Sequence, residues 1–205
     1  PLADLNDLEF GGWDVKPDNV YDACVHASVL KPQDLEPISE FLKTIKPMSA
    51  AFEQKYVKKL EGPNVKDFTT KKDLAEQLRE DIRNRMEETG ASRAVMVWWG
   101  STEVYQSASE CHMSIEAFEK GLEENDEAIA PSQLYAYAAI MEGVPYANCA
   151  PNLSADIPAL TQLAEQKGVP IAGKDFKTGQ TLMKTILAPG FKTRMLGIRG
   201  WFSTN

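Results

Sequence analysis

Three times in this chain a helix-periodic stretch gives way to a short apolar run, and that alternation constrains the fold more than any other feature. Lys71 to Thr89 places Leu74, Leu78, Ile82 and Met86 on one face, carries charge on the other, and ends at Gly90, a residue suited to a helix C-terminus. Arg93 to Gly100 follows as a continuous apolar run of the kind that forms a central strand buried on both faces. Ser132 to Met141 is helical and precedes the strand-like Val144 to Asn148. Ile157 to Gln166 is helical and precedes Gly168 and the strand-like Val169 to Ala172. The alternation predicts an α/β fold, a mainly parallel sheet with helices on its faces. Outside it, Leu35, Ile38, Phe41, Leu42 and Ile45 predict an amphipathic helix over residues 33 to 45, stopped by Pro47, and Met195 to Phe202 reads as a strand.

In parallel sheets ligands bind beyond the carboxyl ends of the strands, so the residues following each apolar run are the first candidates for chemistry. They are Ser101-Thr102-Glu103, Asn148 with Pro151-Asn152, and Lys174-Asp175-Phe176-Lys177. Loops after strands are also polar simply because they are solvated and cap helices. The third group is the richest: Gly173 to Lys184 holds lysines, an aspartate, glycines and threonines where a helix begins near Thr178. Lys177 would precede that start and Lys184 would lie about two turns along it, so both can face one phosphorylated ligand. Solvated lysines on a surface helix are the competing reading of the same residues.

A net charge of -8 gives the long-range field the wrong sign for nonspecific attraction to nucleic acid or anionic lipid. Cys24, Cys111 and Cys149 are far apart and in no CxxC spacing, which argues against a disulfide framework or zinc site and for a reducing cytoplasm. His26 and His112 lack partners at metal-ligand spacing, so no metal is expected. No G-x-S-x-G elbow surrounds any serine, and no apolar run approaches the roughly 20 residues of a membrane-spanning helix.

The segment Gly173 to Lys184, with Thr185-Ile186-Leu187-Ala188-Pro189 after it, closely resembles the myo-inositol-1-phosphate synthase family. So do Phe10-Gly11-Gly12-Trp13-Asp14, Trp99-Gly100-Ser101-Thr102-Glu103, Ile129-Ala130-Pro131-Ser132 and Gly143-Val144-Pro145-Tyr146-Ala147-Asn148, and the version here is most similar to the bacterial and archaeal branch. The resemblance implies a Rossmann-type, mainly parallel sheet over residues 1–172 that lacks its first βα unit, followed over residues 173–205 by the beginning of an α+β substrate and oligomerisation domain. It implies an NAD-dependent isomerase that cyclises D-glucose 6-phosphate to myo-inositol phosphate by internal oxidation, enolisation, aldol closure and reduction, feeding inositol and phospholipid biosynthesis. By the same resemblance Lys177, Lys184 and Asp175 are the catalytic candidates, and Thr178, Gly179, Gln180 and Thr181 shape a substrate-facing turn. Trp13, Asp14, Ser101, Thr102, Asn148 and Asn152 are the NAD-contacting candidates, and the assembly expected is a cytoplasmic homo-oligomer, a tetramer.

Two departures bear on this expectation. Lys174 stands where many members have an aspartate, and no G-x-G-x-x-G phosphate loop occurs in the chain. The sequence is therefore expected to be an excerpt of a longer polypeptide, inactive by itself. A noncatalytic binding module on the same fold and a sugar-phosphate dehydrogenase with net redox are the alternatives.

Overall fold

The computed structural model describes residues 3–175 and 179–200. In chain order its elements are β1 (Trp13–Asp14), α1 (Val20–Ala27), α2 (Pro32–Leu35), α3 (Ser39–Thr44), β2 (Met48–Ser49), α4 (Lys71–Thr89), β3 (Met96–Trp98), α5 (Ile115–Glu124), α6 (Pro131–Met141), β4 (Tyr146–Asn148), α7 (Pro158–Lys167), β5 (Ile171–Ala172) and α8 (Gly179–Thr193). Strands β3, β4 and β5 form one parallel sheet in that order, with Met96, Tyr146 and Ile171 in register; β1 and β2 form a separate parallel pair. The α/β expectation is met. The chain divides into two compact units, Pro1–Lys174 and Asp175–Asn205.

Helix α4 shows how directly local chemistry sets an element. Thr70 accepts a hydrogen bond from the Asp73 N–H, and Asp73 sits in the first turn where negative charge meets the positive end of the helix dipole. At the other end Gly90 takes a left-handed conformation (φ 66°), and its N–H reaches the Glu87 carbonyl. Leu74 and Leu78 are completely buried, and Ile82 nearly so, against α6. Burying each such side chain stabilises the fold by about 1.5–3 kcal/mol.

Helix α6 is the centre of the first unit: every residue from Pro131 to Ile140 is buried. Ala136, Ala138 and Ala139 present so little volume that α4, α7 and strand β4 can all pack closely around one helix. Of its two tyrosines, Tyr135 lies between Trp13 of β1 and Trp98 of β3, at centroid separations of 5.2 and 5.1 Å. The Tyr135 hydroxyl accepts from the Ala51 N–H at 2.9 Å, just beyond β2. One side chain of α6 thus touches both sheets.

The structure differs from the sequence expectation in three segments. The helix expected over residues 33 to 45 is broken into α2, a single 3-10 turn (Glu36–Ile38) and α3. Pro37 falls inside it, removing a donor and crowding the preceding turn; Leu35 is buried, but Ile38 and Phe41 are exposed. The run from Arg93 to Gly100 is not a strand covered on both faces: β3 spans Met96 to Trp98, pairs with β4 along one edge among the described residues, and leaves the alternating Val95, Val97 and Trp99 exposed. Between Met195 and Gly200 there is no strand. Met195 instead closes α8 in a left-handed conformation (φ 55°), its N–H bonding to Lys192 and the Leu196 N–H to Phe191, the paired pattern of a helix C-terminus.

Candidate active site

Three strand ends, those of β3, β4 and β5, open on the same edge of the sheet because all three strands run parallel. After β4, Asn148 is 2% exposed and closes its own loop: its Oδ1 accepts from the Ala150 N–H at 3.0 Å and its Nδ2 donates to the Asn152 carbonyl at 2.9 Å. Asn148 therefore shapes the loop, and what that loop offers a ligand is set by its backbone and by Asn152. The Asn152 Oδ1 accepts from the Glu103 N–H at 3.0 Å, which fixes the amide's orientation, while its buried Nδ2 has no hydrogen-bond partner. An unpaired buried donor costs about 1–3 kcal/mol, so this one stands ready for an acceptor.

After β3, Ser101 and Thr102 are exposed, but Glu103 turns inward and is 7% exposed. Its Oε1 accepts from the Ser132 N–H at 2.8 Å and its Oε2 from the Ser132 hydroxyl at 2.6 Å. At the start of α6 Gln133 accepts from the Ala130 N–H at 3.2 Å, but Ala130 offers no side-chain acceptor to the first turn, so this carboxylate supplies it and complements the helix dipole. Burial pushes the Glu103 pKa up, and the two Ser132 bonds oppose that rise.

After β5, Gly173 (φ 99°) lies so close to β4 that a Cβ would collide with the Asn148 carbonyl. Lys174 then reaches Asp156 at 2.6 Å in the loop before α7, and that bond holds its ammonium above the usual lysine range. The lysine that departs from the family pattern thus has a partner within the same unit.

Strand β1 brings the remaining candidates. The Trp13 indole donates to Asp81 of α4 at 2.6 Å, and Asp81 also pairs with Lys66 at 2.8 Å, so Trp13 is fixed by packing and by an ion-paired acceptor. Asp14 is exposed; its Oδ1 accepts from the Lys16 N–H at 2.8 Å. Beside it opens a cavity of about 170 Å³ lined by Asp14, Lys16, Asp18, Ala23 and His26.

The first unit therefore gathers Ser101, Thr102, Asn148 and Asn152 at the ends of β3 and β4, and ties β1 to β3 through the stack of Trp13, Tyr135 and Trp98. In the second unit Asp175 is exposed with a left-handed backbone (φ 62°), and Lys184 is exposed on α8. Lys177 and Thr178 lie outside the described residues, as do the side chains of Gln180 and Thr181 beyond the start of α8 at Gly179.

Two charges are buried where the sequence gives no expectation of it: Glu103, named only as part of the loop after β3, and Lys71. Glu103 carried one legible signal, a helix start at Ala130-Pro131 with no capping residue, which demands an acceptor from elsewhere. Lys71, 1% exposed, donates to the Tyr56 hydroxyl and the Asp126 carbonyl at 2.8 Å each, and to the Ile129 carbonyl, with Glu53 at 3.5 Å. His112 is wholly buried: its Nδ1 accepts from the Ser109 N–H at 3.0 Å, leaving Nε2 to donate to Ala128 or Gln133. Among the described residues no three His, Cys, Asp or Glu side chains group to hold a metal ion, and no helix is long and apolar enough to cross a membrane.

Residues 1–192 match an NAD-binding family model described as myo-inositol-1-phosphate synthase. The chain is 53% identical over its whole length to inositol-3-phosphate synthase 1 of Bacteroides thetaiotaomicron, covering 48% of that protein. It is 34% identical to inositol-3-phosphate synthase of Trypanosoma brucei brucei, over 93% of this chain and 37% of the relative. Among solved structures, inositol-3-phosphate synthase of Caenorhabditis elegans superposes with a TM-score of 0.85 at 28% identity, over 93% of this chain and 39% of the other. A myo-inositol-1-phosphate synthase-related protein of Thermotoga maritima shares the fold, with a TM-score of 0.64 at 20% identity over 90% of this chain and 47% of that one. The chain spans about half the length of the bacterial relative and less than two fifths of the trypanosomal one.

Proposed function

The chain belongs to the myo-inositol-1-phosphate synthase family, and we propose on that basis that the protein containing it is an NAD-dependent isomerase that cyclises D-glucose 6-phosphate to myo-inositol phosphate. In this reading residues 1–172 are the later part of the NAD domain and residues 173–205 the beginning of the substrate domain. The structural observation that supports it is that the loops after β3 and β4, joined by the Glu103 N–H to Asn152 Oδ1 bond at 3.0 Å, carry two exposed hydroxyl residues (Ser101, Thr102) and one buried, unpaired amide donor (Asn152 Nδ2). A dinucleotide, rich in acceptors and hydroxyls, suits that donor set.

When bound, NAD takes up a hydride from the sugar and later returns it, so the reaction has no net redox change. The chain's residues do the rest. Asp14 accepts from a ribose hydroxyl beside the cavity at the end of β1. Ser101, Thr102 and Asn152 hold the cofactor by hydrogen bonds, over a floor shaped by Trp13 and Asn148. Lys177 and Lys184 place positive charge on the substrate phosphate and on the enolate oxygen, and either can move a proton if desolvation lowers its pKa. Asp175 orients a substrate hydroxyl, and Thr178, Gly179, Gln180 and Thr181 face the substrate. A cytoplasmic homo-oligomer belongs to the same reading; the unpaired state of Cys24, Cys111 and Cys149 fits a reducing compartment.

The test is single-turnover conversion of glucose 6-phosphate by the full-length protein. Inositol phosphate formed with no net NADH is expected, with Lys177→Ala and Lys184→Ala each slowed by about 10²-fold or more. Net NADH accumulation would instead identify a dehydrogenase, and unchanged rates in both variants would refute the lysine assignment.

A further inference from the structure

We propose that Glu103 is a positioning residue for the dinucleotide: it fixes the loop after β3 at two points and thereby sets where Ser101 and Thr102 stand. The inference rests on the NAD-binding reading above and goes beyond it, because it gives Glu103 a role through the loop it anchors. Its carboxylate is held by the Ser132 N–H at 2.8 Å and the Ser132 hydroxyl at 2.6 Å, while its own N–H is held by Asn152 Oδ1 at 3.0 Å. One residue thus joins the β3 exit to the start of α6 and to the β4 exit.

A local acceptor at position 130 would satisfy the start of α6 more cheaply than a carboxylate carried in from 29 residues away. The distant carboxylate does something that a local cap cannot, since it ties a surface loop to a buried helix. That helix is a fixed reference. It is enclosed along its length, and its Tyr135 contacts both Trp98, at the root of the same loop, and Trp13. The Asn152 amide is also oriented by Glu103, because the bond to its Oδ1 decides where its unpaired Nδ2 points. Glu103 therefore governs two exposed residues through the loop and the orientation of the buried Asn152 amide through its N–H.

The experiment uses the full-length protein and measures the NAD dissociation constant by titration calorimetry, amide hydrogen exchange over residues 100 to 104, and apo-protein unfolding in urea. Glu103→Ala should weaken NAD binding about tenfold and speed exchange in the loop, because the carboxylate anchor is lost and the buried Ser132 N–H loses its acceptor. Glu103→Gln, which keeps an acceptor for that N–H, should recover most of the affinity, to within about threefold of native. Ser132→Ala, which removes one of the two carboxylate contacts, should weaken binding about threefold; with Glu103→Gln it decides the matter if the alanine variant does not fold. A residue serving stability alone would lower the urea midpoint and leave the dissociation constant of the folded protein unchanged, and that result overturns the proposal. Native protein that binds no NAD overturns both readings, whereas native binding with unaltered affinity in the variants overturns this one alone.

Discussion

Lys71 offers the sharpest test of how this core is held together, because two large effects oppose each other there. Its ammonium is buried, which costs several kcal/mol even after relaxation, and burial accordingly lowers its pKa despite the nearby Glu53. Against that stand its bonds to Tyr56, Asp126 and Ile129. The outcome of removing it depends on what is left unpaired. The Asp126 carbonyl keeps the Ile129 N–H at 3.2 Å, the Ile129 carbonyl keeps the Tyr56 hydroxyl at 3.0 Å, and Glu53 keeps Lys55 at 3.1 Å. One acceptor is left without a contact, the buried Glu53 Oε1, which has no hydrogen bond and meets the Lys71 ammonium at 3.5 Å; relief of the buried charge offsets part of that loss, so Lys71→Met, which preserves the volume, should cost about 1–2 kcal/mol. Lys71→Ala additionally removes three buried methylenes at about 0.8 kcal/mol each and leaves a cavity, for a total of about 3–4 kcal/mol. The pH dependence has a definite sign. A lysine whose folded pKa lies below its unfolded value binds fewer protons when folded, so native stability should rise with pH between those two values, and the rise should vanish in Lys71→Met. Urea unfolding of the three proteins from pH 7 to 10, followed by tryptophan fluorescence, measures both quantities. A methionine variant as unstable as the alanine variant, with native stability flat over that range, would refute the reasoning and make the charge itself the main support.

Two further outcomes follow from close contacts. Gly173→Ala should destabilise the β5 exit by about 2 kcal/mol or more, since the new methyl meets the Asn148 backbone and the φ of 99° suits only glycine; hydrogen exchange at Tyr146 and Ala147 should quicken, and unchanged protection there would contradict the packing described. Tyr135→Phe should cost about 1–3 kcal/mol by orphaning the Ala51 N–H, read as a lower urea midpoint with the slope retained.

How much could be read from the chain follows the range of the forces involved. Helix α4 was legible to its last residue because its cap, its apolar stripe and its terminating glycine are all local. The alternation of helix and strand through β4, α7 and β5 was legible for the same reason, and with it the loops that gather the candidate cofactor contacts. The stretch around Pro37 is not legible from apolar spacing alone, because the proline inside the run breaks the helix. Met195 and Leu196 misled because their apolar character resembles a strand, whereas their backbone groups are spent closing α8. The burial of Glu103 and Lys71 is not legible in the chain, although Glu103 falls in a candidate loop: their partners lie 29 residues away at Ser132 and 55 residues away at Asp126, and only a fold makes such burial tolerable.

The placing of Tyr135 between Trp13 and Trp98 has a consequence for how such a protein can diverge. Because one buried ring seats the roots of two candidate binding loops, a change in its size or tilt would disturb both loops together, and selection acting on either would resist it. Divergence in what the protein binds is therefore expected to accumulate at the solvent-facing tips, in residues such as Ser101, Thr102 and Lys16, while helix α6 stays nearly constant in volume. Laboratory evolution toward a different cofactor should find its gains at those tips, and libraries that randomise α6 should yield mostly unfolded protein.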